Sequence, residues 1–183
     1  AGTNAVMQQA LRTDAPIYGR VLDPCVTASP AVLEHATLSH PIAECEYMVT
    51  LSADLPPRAT PYTQDDVRAA IATIRPGIEV AQCRFVRDAA FPPLSAILAD
   101  GSGTGILVTG EPIADWRNRD IPGQGIALRV NGAIRREGNA REALVDHPAV
   151  PLPSLANALS RAGIGLLAGE VISTGTCTGM ILG

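Results

Sequence analysis

Pro41-Ile42-Ala43-Glu44-Cys45-Glu46-Tyr47-Met48-Val49-Thr50-Leu51 is the stretch on which the reading of this chain turns. It is β-prone almost throughout, and it predicts a strand over 42–51. Side chains at i and i+2 of a strand share a face, so Glu44 and Glu46 point one way while Cys45 and Tyr47 point the other. A second apolar run, Gly77-Ile78-Glu79-Val80-Ala81, carries one more carboxylate and predicts a strand over 78–85. If the two strands are neighbours, three acids converge, and such a cluster needs either protons or a cation. A hard divalent ion with oxygen ligands answers that need, and Mg²⁺ keeps positions open for water and substrate. Taken alone, Glu-x-Glu is a very common tripeptide and is more often the solvated face of an edge strand than a metal site. The third carboxylate in an apolar strand weighs against that reading, because burying a lone carboxylate is costly.

Outward from these strands the chain reads as alternating short elements. Thr3 or Asn4 can cap a helix over 5–12. Residues 17–22 read as a short strand. Pro56, Pro57 and Pro61 mark a loop, and Thr63 with Asp66 opens a helix over 64–74 that Pro76-Gly77 is expected to stop. Pro92 and Pro93 open a helical stretch ending near Ala99. Asp100-Gly101-Ser102-Gly103-Thr104-Gly105 is a tight connection into a strand over 106–109. It lacks the Lys-Ser/Thr ending of a phosphate-binding loop. Asn131-Gly132, a preferred type I′ turn, joins two hairpin strands over 125–130 and 133–137. A helix over 151–163 begins at prolines and ends at Gly163, and a strand over 171–174 leads into Gly175-Thr176-Cys177-Thr178-Gly179. This mixed order favours an α+β or β-rich roll over a doubly wound parallel sheet.

The totals narrow the function. At 183 residues and 46% apolar content, one domain over 1–183 is expected. A net charge of −4, no basic cluster and 3% aromatic residues give no footprint for nucleic acid. No apolar run is long enough to span a bilayer, and no secretory signal pattern is present. Cys25, Cys45, Cys83 and Cys177 form no Cys-x-x-Cys pair and read as reduced thiols of a cytoplasmic protein. All 14 basic residues are arginine, so no lysine base or Schiff base can come from this chain. His35, His40 and His147 read as structural. Trp116 reads as a packing anchor. Both ends read as cut from a longer chain.

The order of segments resembles a known family. Thr3-Asn4-Ala5-Val6-Met7-Gln8, Asp14 to Arg20, Glu44-Cys45-Glu46, Asp54-Leu55-Pro56 and Tyr62-Thr63 with Asp66-Val67 are followed by Arg75-Pro76-Gly77-Ile78-Glu79 and Ala99-Asp100. Val130-Asn131-Gly132, His147-Pro148, Leu155-Ala156-Asn157, Ala168-Gly169-Glu170-Val171 and Ser173 to Gly179 complete the series. In this order they resemble the 2-keto-4-pentenoate hydratase and 4-oxalocrotonate decarboxylase branch of the fumarylacetoacetate hydrolase superfamily. That resemblance implies a mixed β-roll or sandwich with flanking helices. It implies Mg²⁺ or Mn²⁺ on Glu44, Glu46 and Glu79, with Thr174 and Thr176 as substrate contacts; Arg20 is a further contact candidate because a guanidinium pairs well with a carboxylate, and it reads equally well as a surface arginine. Asp100 is the acid/base candidate within the chain. The family lysine would fall just upstream of Ala1, and Gly101 and Asp146 stand where the family usually has Asn and Gly. The implied activity is hydration of a 2-hydroxy-2,4-dienoate to a 4-hydroxy-2-keto acid in aromatic meta-cleavage catabolism. Alternatives are a 2-keto acid decarboxylase, an acylpyruvate C–C hydrolase (whose Glu-His pair has no evident counterpart here) and a non-catalytic partner subunit. The expected partners are a small 2-keto acid and further copies of the chain, or a hydratase–decarboxylase complex.

Overall fold

Asn4 accepts a hydrogen bond from the Met7 backbone N–H and so starts helix α1, Ala5–Leu11. The structure is a computed structural model that describes residues 2–86 and 92–183. After α1 the chain runs without regular structure to the three-residue strand β1, Val26–Ala28. The strand expected over 17–22 does not form. Gly19 lies so close to Gly101 that a Cβ there would stand 2.0 Å from the Gly101 carbonyl oxygen. The Tyr18 carbonyl accepts a hydrogen bond from Ser102. Loop contacts hold this segment in place of a strand ladder.

Strand β2, Pro41–Leu51, pairs antiparallel along its whole length with β3, Ile71–Gln82. Between them lies α2, Gln64–Ala69, with a Thr63–Asp66 capping box. The helix expected over 64–74 is therefore cut short. Ile71 and Ile74 do sit on one apolar surface, but strand pairing to Leu51 and Val49 supplies it, helped by a register shift at Thr50–Leu51. Pro76 and Gly77 lie inside β3 and do not terminate an element. The Pro76 carbonyl accepts from the Gly110 N–H, so its ring faces the side of β4, Ile106–Thr109, just past that strand's end. The missing donor therefore breaks no β2–β3 hydrogen bond.

A helix α3, Leu94–Ala99, precedes β4. The hairpin β5, Ile126–Val130, and β6, Ala133–Gly138, forms as expected, with Asn131 at φ 51° and Gly132 at φ 81°. Helices α4, Ala140–Ala143, and α5, Leu152–Arg161, lead to the last strand, β7, Val171–Leu182. Read from sequence, β7 was four residues long. Gly175 and Gly179 look like breakers, yet their positive φ values are absorbed in two register shifts against β2. The main sheet has the order β1-β4-β3-β2-β7, antiparallel except for β1–β4. This is the expected α+β class.

The two faces of the β2–β3 pair differ. Tyr47, Val49, Leu51, Ile71 and Ile74 face the main core, packed with Trp116, Leu144, Leu152 and Ala156. Each such large side chain contributes about 1.5–3 kcal/mol on burial. The opposite face carries Glu44, Glu46 and Glu79, and it is the core beneath that fixes the strands that present them.

Candidate metal centre

Glu44 and Glu79 are direct cross-strand partners, and Glu46 stands opposite Gly77. One carboxylate oxygen from each of the three lies within 4.8 Å of the others. Glu46 is 3% exposed, while Glu44 and Glu79 are half-buried. Burial first, then the charge of Glu46, pushes Glu44 from its ordinary 4.5 up to about 8. Burial, with the charges of Glu46 and Glu44, pushes Glu79 up to about 9. Without a cation this site holds protons at neutral pH.

Glu46 is the anchored member. Its Oε2 accepts hydrogen bonds from the Ser173 hydroxyl and from the Gly175 N–H at 2.8 Å. Both donors come from the bulged part of β7. Gly175 has φ +108°, and a Cβ there would meet Thr3 Oγ1 at 1.8 Å, so only glycine lets the N-terminal segment and β7 approach this closely. The Thr3 hydroxyl oxygen is buried with no hydrogen-bond partner.

Three carboxylate oxygens, with no Cys or His joining the group among the described residues, form a hard donor set. This suits Mg²⁺, Mn²⁺ or Ca²⁺ and not zinc. The nearby thiols are poor ligands as they stand: burial pushes Cys177 up to about 12 and raises Cys45 as well.

The other candidates fall elsewhere. Asp100 caps α3 and forms an ion pair with Arg84 at 3.1 Å. Arg20 is exposed on the segment leading to β1. Thr174 and Thr176 are buried near Glu46, but their hydroxyls donate to the carbonyls of Tyr47 at 3.0 Å and Gly179 at 3.1 Å. His147 is buried against Trp116, and its Nδ1 accepts from the Ala149 N–H. Trp116 anchors packing and donates from Nε1 to the Ala72 carbonyl. Sequence reasoning passed over Ser173, Gly175 and Thr3. Alternation of Ser173 and Gly175 about Thr174 was the available signal, because residues at i and i+2 share a face.

A cavity of about 50 Å³ adjoins Ser173, between the Thr3 and Tyr18 region and the start of α5. A wider one of about 590 Å³ lies at the far end of β2 and β3, by His40, Cys83 and Arg84. Only the first includes a group bonded to the triad.

The family model for the fumarylacetoacetate (FAA) hydrolase C-terminal region matches residues 21–181. The chain is 30% identical over 169 residues to 4-oxalocrotonate decarboxylase of Pseudomonas putida, covering 92% of this chain and 62% of that protein. It is 29% identical over 181 residues to 2-hydroxyhexa-2,4-dienoate hydratase of Comamonas testosteroni, covering 98% of this chain and 67% of that protein. The solved structure of 4-oxalocrotonate decarboxylase from Pseudomonas putida G7, complexed with magnesium and adipate, superimposes with a TM-score of 0.88 at 28% identity. That match covers 99% of this chain and 67% of the other. The chain thus spans a little under two thirds of the length of the decarboxylase it matches. Among the described residues, no helix is long and apolar enough to cross a membrane.

Proposed function

This chain belongs to the fumarylacetoacetate hydrolase family, and from that premise we propose that it is a divalent-metal-dependent enzyme of 2-keto acid chemistry, hydrating a 2-hydroxy-2,4-dienoate to a 4-hydroxy-2-keto acid. The observation that carries this reading is the convergence of Glu44, Glu46 and Glu79, with oxygens within 4.8 Å, on one sheet face. Glu44, Glu46 and Glu79 would hold Mg²⁺ or Mn²⁺. When bound, such an ion supplies Lewis acidity to the carboxylate and 2-oxo oxygens of a keto acid. Magnesium in the related decarboxylase structure supports the choice of a hard divalent ion.

The chain's own residues supply position. Ser173 and the Gly175 N–H hold Glu46 in one orientation, so its second oxygen has a fixed aim. Thr174 and Thr176 line the adjoining strand as substrate-contact candidates. Donating to a substrate requires their hydroxyls to leave the backbone carbonyls they now serve. Asp100 is the proposed proton carrier, and Arg20 a contact for the substrate carboxylate. Asp100 forms an ion pair with Arg84 at 3.1 Å, which it would have to release to meet a substrate.

Decarboxylation is the second reading. It is supported by the 30% identity to the 4-oxalocrotonate decarboxylase, and the same carboxylate cluster would serve it. Calorimetry of Mg²⁺ and Mn²⁺ binding, with and without oxalate as a chelating mimic, tests the metal centre. Binding that oxalate strengthens and Glu46→Ala abolishes is the expected result; no binding by folded protein overturns it. Loss of dienoate absorbance without CO₂ release identifies a hydratase, and CO₂ release identifies a decarboxylase.

A further inference from the structure

Hairpin β5–β6 stands apart from the rest of the fold. Its base is held: Leu128 is buried, Ile126 packs against the core, and a Cβ on Gly138 would meet the Cys177 carbonyl oxygen of β7 at 2.1 Å. Beyond that base, every residue over 129–137 is exposed. Both faces of the ribbon are open there, which is true of no strand of the main sheet among the described residues. A two-stranded ribbon is marginal in water by itself. Val130 and Ile134, 38% and 44% exposed, gain little from folding this way.

The same stretch is basic. The turn at Asn131-Gly132 sets Arg129 of β5 opposite Ile134, and so beside Arg135 and Arg136 of β6. Glu137 is the single acid over 129–137. Among the described residues none of the three arginines forms an ion pair. Two of them donate only to carbonyls of the hairpin itself, Arg129 to Gly132 at 3.2 Å and Arg136 to Arg135 at 3.0 Å. The chain as a whole has a net charge of −4, and it is more negative still without this arm.

We infer that the hairpin is an arm by which one copy of the chain grips another, with its arginines and Ile134 seated on the acidic body of the second copy. Arm cannot meet arm, since that would bring both sets of arginines together. The contact is therefore arm to body. It is returned when the second arm seats on the first body, which closes a two-fold dimer. The nine residues of the arm, with a similar number beneath the partner's arm, bring each side to about 20, the lower end of a stable interface. Charges along an edge strand deter strand addition, so side chains and not a shared ladder make the contact. Arginine suits that role, because its planar head pairs bidentately with carboxylates.

The test is sedimentation velocity of the full 183-residue chain over a range of concentrations. The expected result is a dimer at low salt whose dissociation constant rises at least about tenfold in ~0.5 M NaCl. The triple variant Arg129→Glu, Arg135→Glu, Arg136→Glu should be monomeric. Ile134→Ser, which leaves the charge alone, should weaken the dimer by about tenfold. In dilute solution, where the parent is monomeric too, both variants should melt with it, because these side chains are exposed in their own copy. Hydrogen exchange over 129–137 should slow as the parent's concentration rises. A parent that stays monomeric throughout overturns the inference, even if anionic lipid vesicles bind the arm. So does a dimer that the triple variant leaves intact. The assay needs no metal, so its outcome is separate from that of the keto acid reading.

Discussion

Glu46 differs from its two neighbours in having its position fixed from behind. The Ser173 hydroxyl and Gly175 N–H both converge on Oε2, while Glu44 and Glu79 each lean on Glu46 itself through a side-chain hydrogen bond. Removing the hydroxyl should therefore weaken metal binding without removing a ligand. Ser173→Ala is expected to lower Mg²⁺ affinity by about 10–100-fold, the usual effect of deleting a group that orients a ligand. Titration calorimetry against the parent chain measures it. The triad itself was legible in the sequence, because a carboxylate in an apolar strand is chemically conspicuous. Ser173 and Thr3 were not, because a serine or threonine beside a strand is ordinary until its neighbours across the sheet are known. Thr174 and Thr176 show the converse: sequence marks them as hydroxyls near the site but cannot tell where those hydroxyls point.

Among the elements, β3 shows most clearly where local propensity yields to pairing. Residues 71–74 fit a helical stripe, and Pro76-Gly77 fits a stop, yet all six lie in a strand flanked on both sides. Local signals describe what a segment does alone. β3 is bound by β2 on one side and β4 on the other, and those ladders outweigh its preference. Gly77 is more than tolerated there. A Cβ would stand 2.5 Å from the Met48 terminal carbon and 2.8 Å from the Val108 carbonyl oxygen. The Met48 side chain can shift, but the Val108 backbone cannot shift without disturbing β4. Gly77→Ala should thus destabilise the fold by about 1–3 kcal/mol, read as a lower urea midpoint with an unchanged slope. The shorter β4 and the Asn131-Gly132 hairpin were legible because turn chemistry sets their ends. The extent of β7 was hidden by glycines that bend a strand without ending it.

For the whole molecule, the buried acids make stability depend on pH in a definite direction. Glu44 and Glu79 have folded values near 8 and 9, above their ordinary 4.5, so the folded state holds more protons than the unfolded one between those limits. Their contribution is fully present below about 4.5 and is lost as pH rises through 8 to 9. His147 acts oppositely: burial, with the nearby Arg68, lowers its value below 6.5. Its contribution is present above 6.5 and is lost as pH falls below it. Metal-free protein should therefore lose stability from pH 6.5 to 9, where the carboxylates, joined toward pH 9 by the raised thiols of Cys45 and Cys177, all act in one direction. Saturating Mg²⁺ should flatten or reverse that slope, because binding replaces the protons. Thermal melts at a series of pH values, with EDTA or with Mg²⁺, check both statements. Fold class was legible at this scale from the order of elements. The division of the sheet into an apolar face and an acidic face was legible from alternation along β2.

The slack in β7 has one more consequence. From Ser173 to Met180 the strand takes seven steps while β2 takes four, from Met48 to Glu44. The surplus is three, an odd number, so parity inverts along the strand: odd-numbered side chains share the acidic face at Ser173, and even-numbered ones do at Met180. A substitution inside this stretch alters one contact. Deleting a single residue between them would leave an even surplus, and one half of the strand would have to turn over. In the history of this fold, then, changes of length between 173 and 180 should be far rarer than changes of identity, and those that persist should come in pairs.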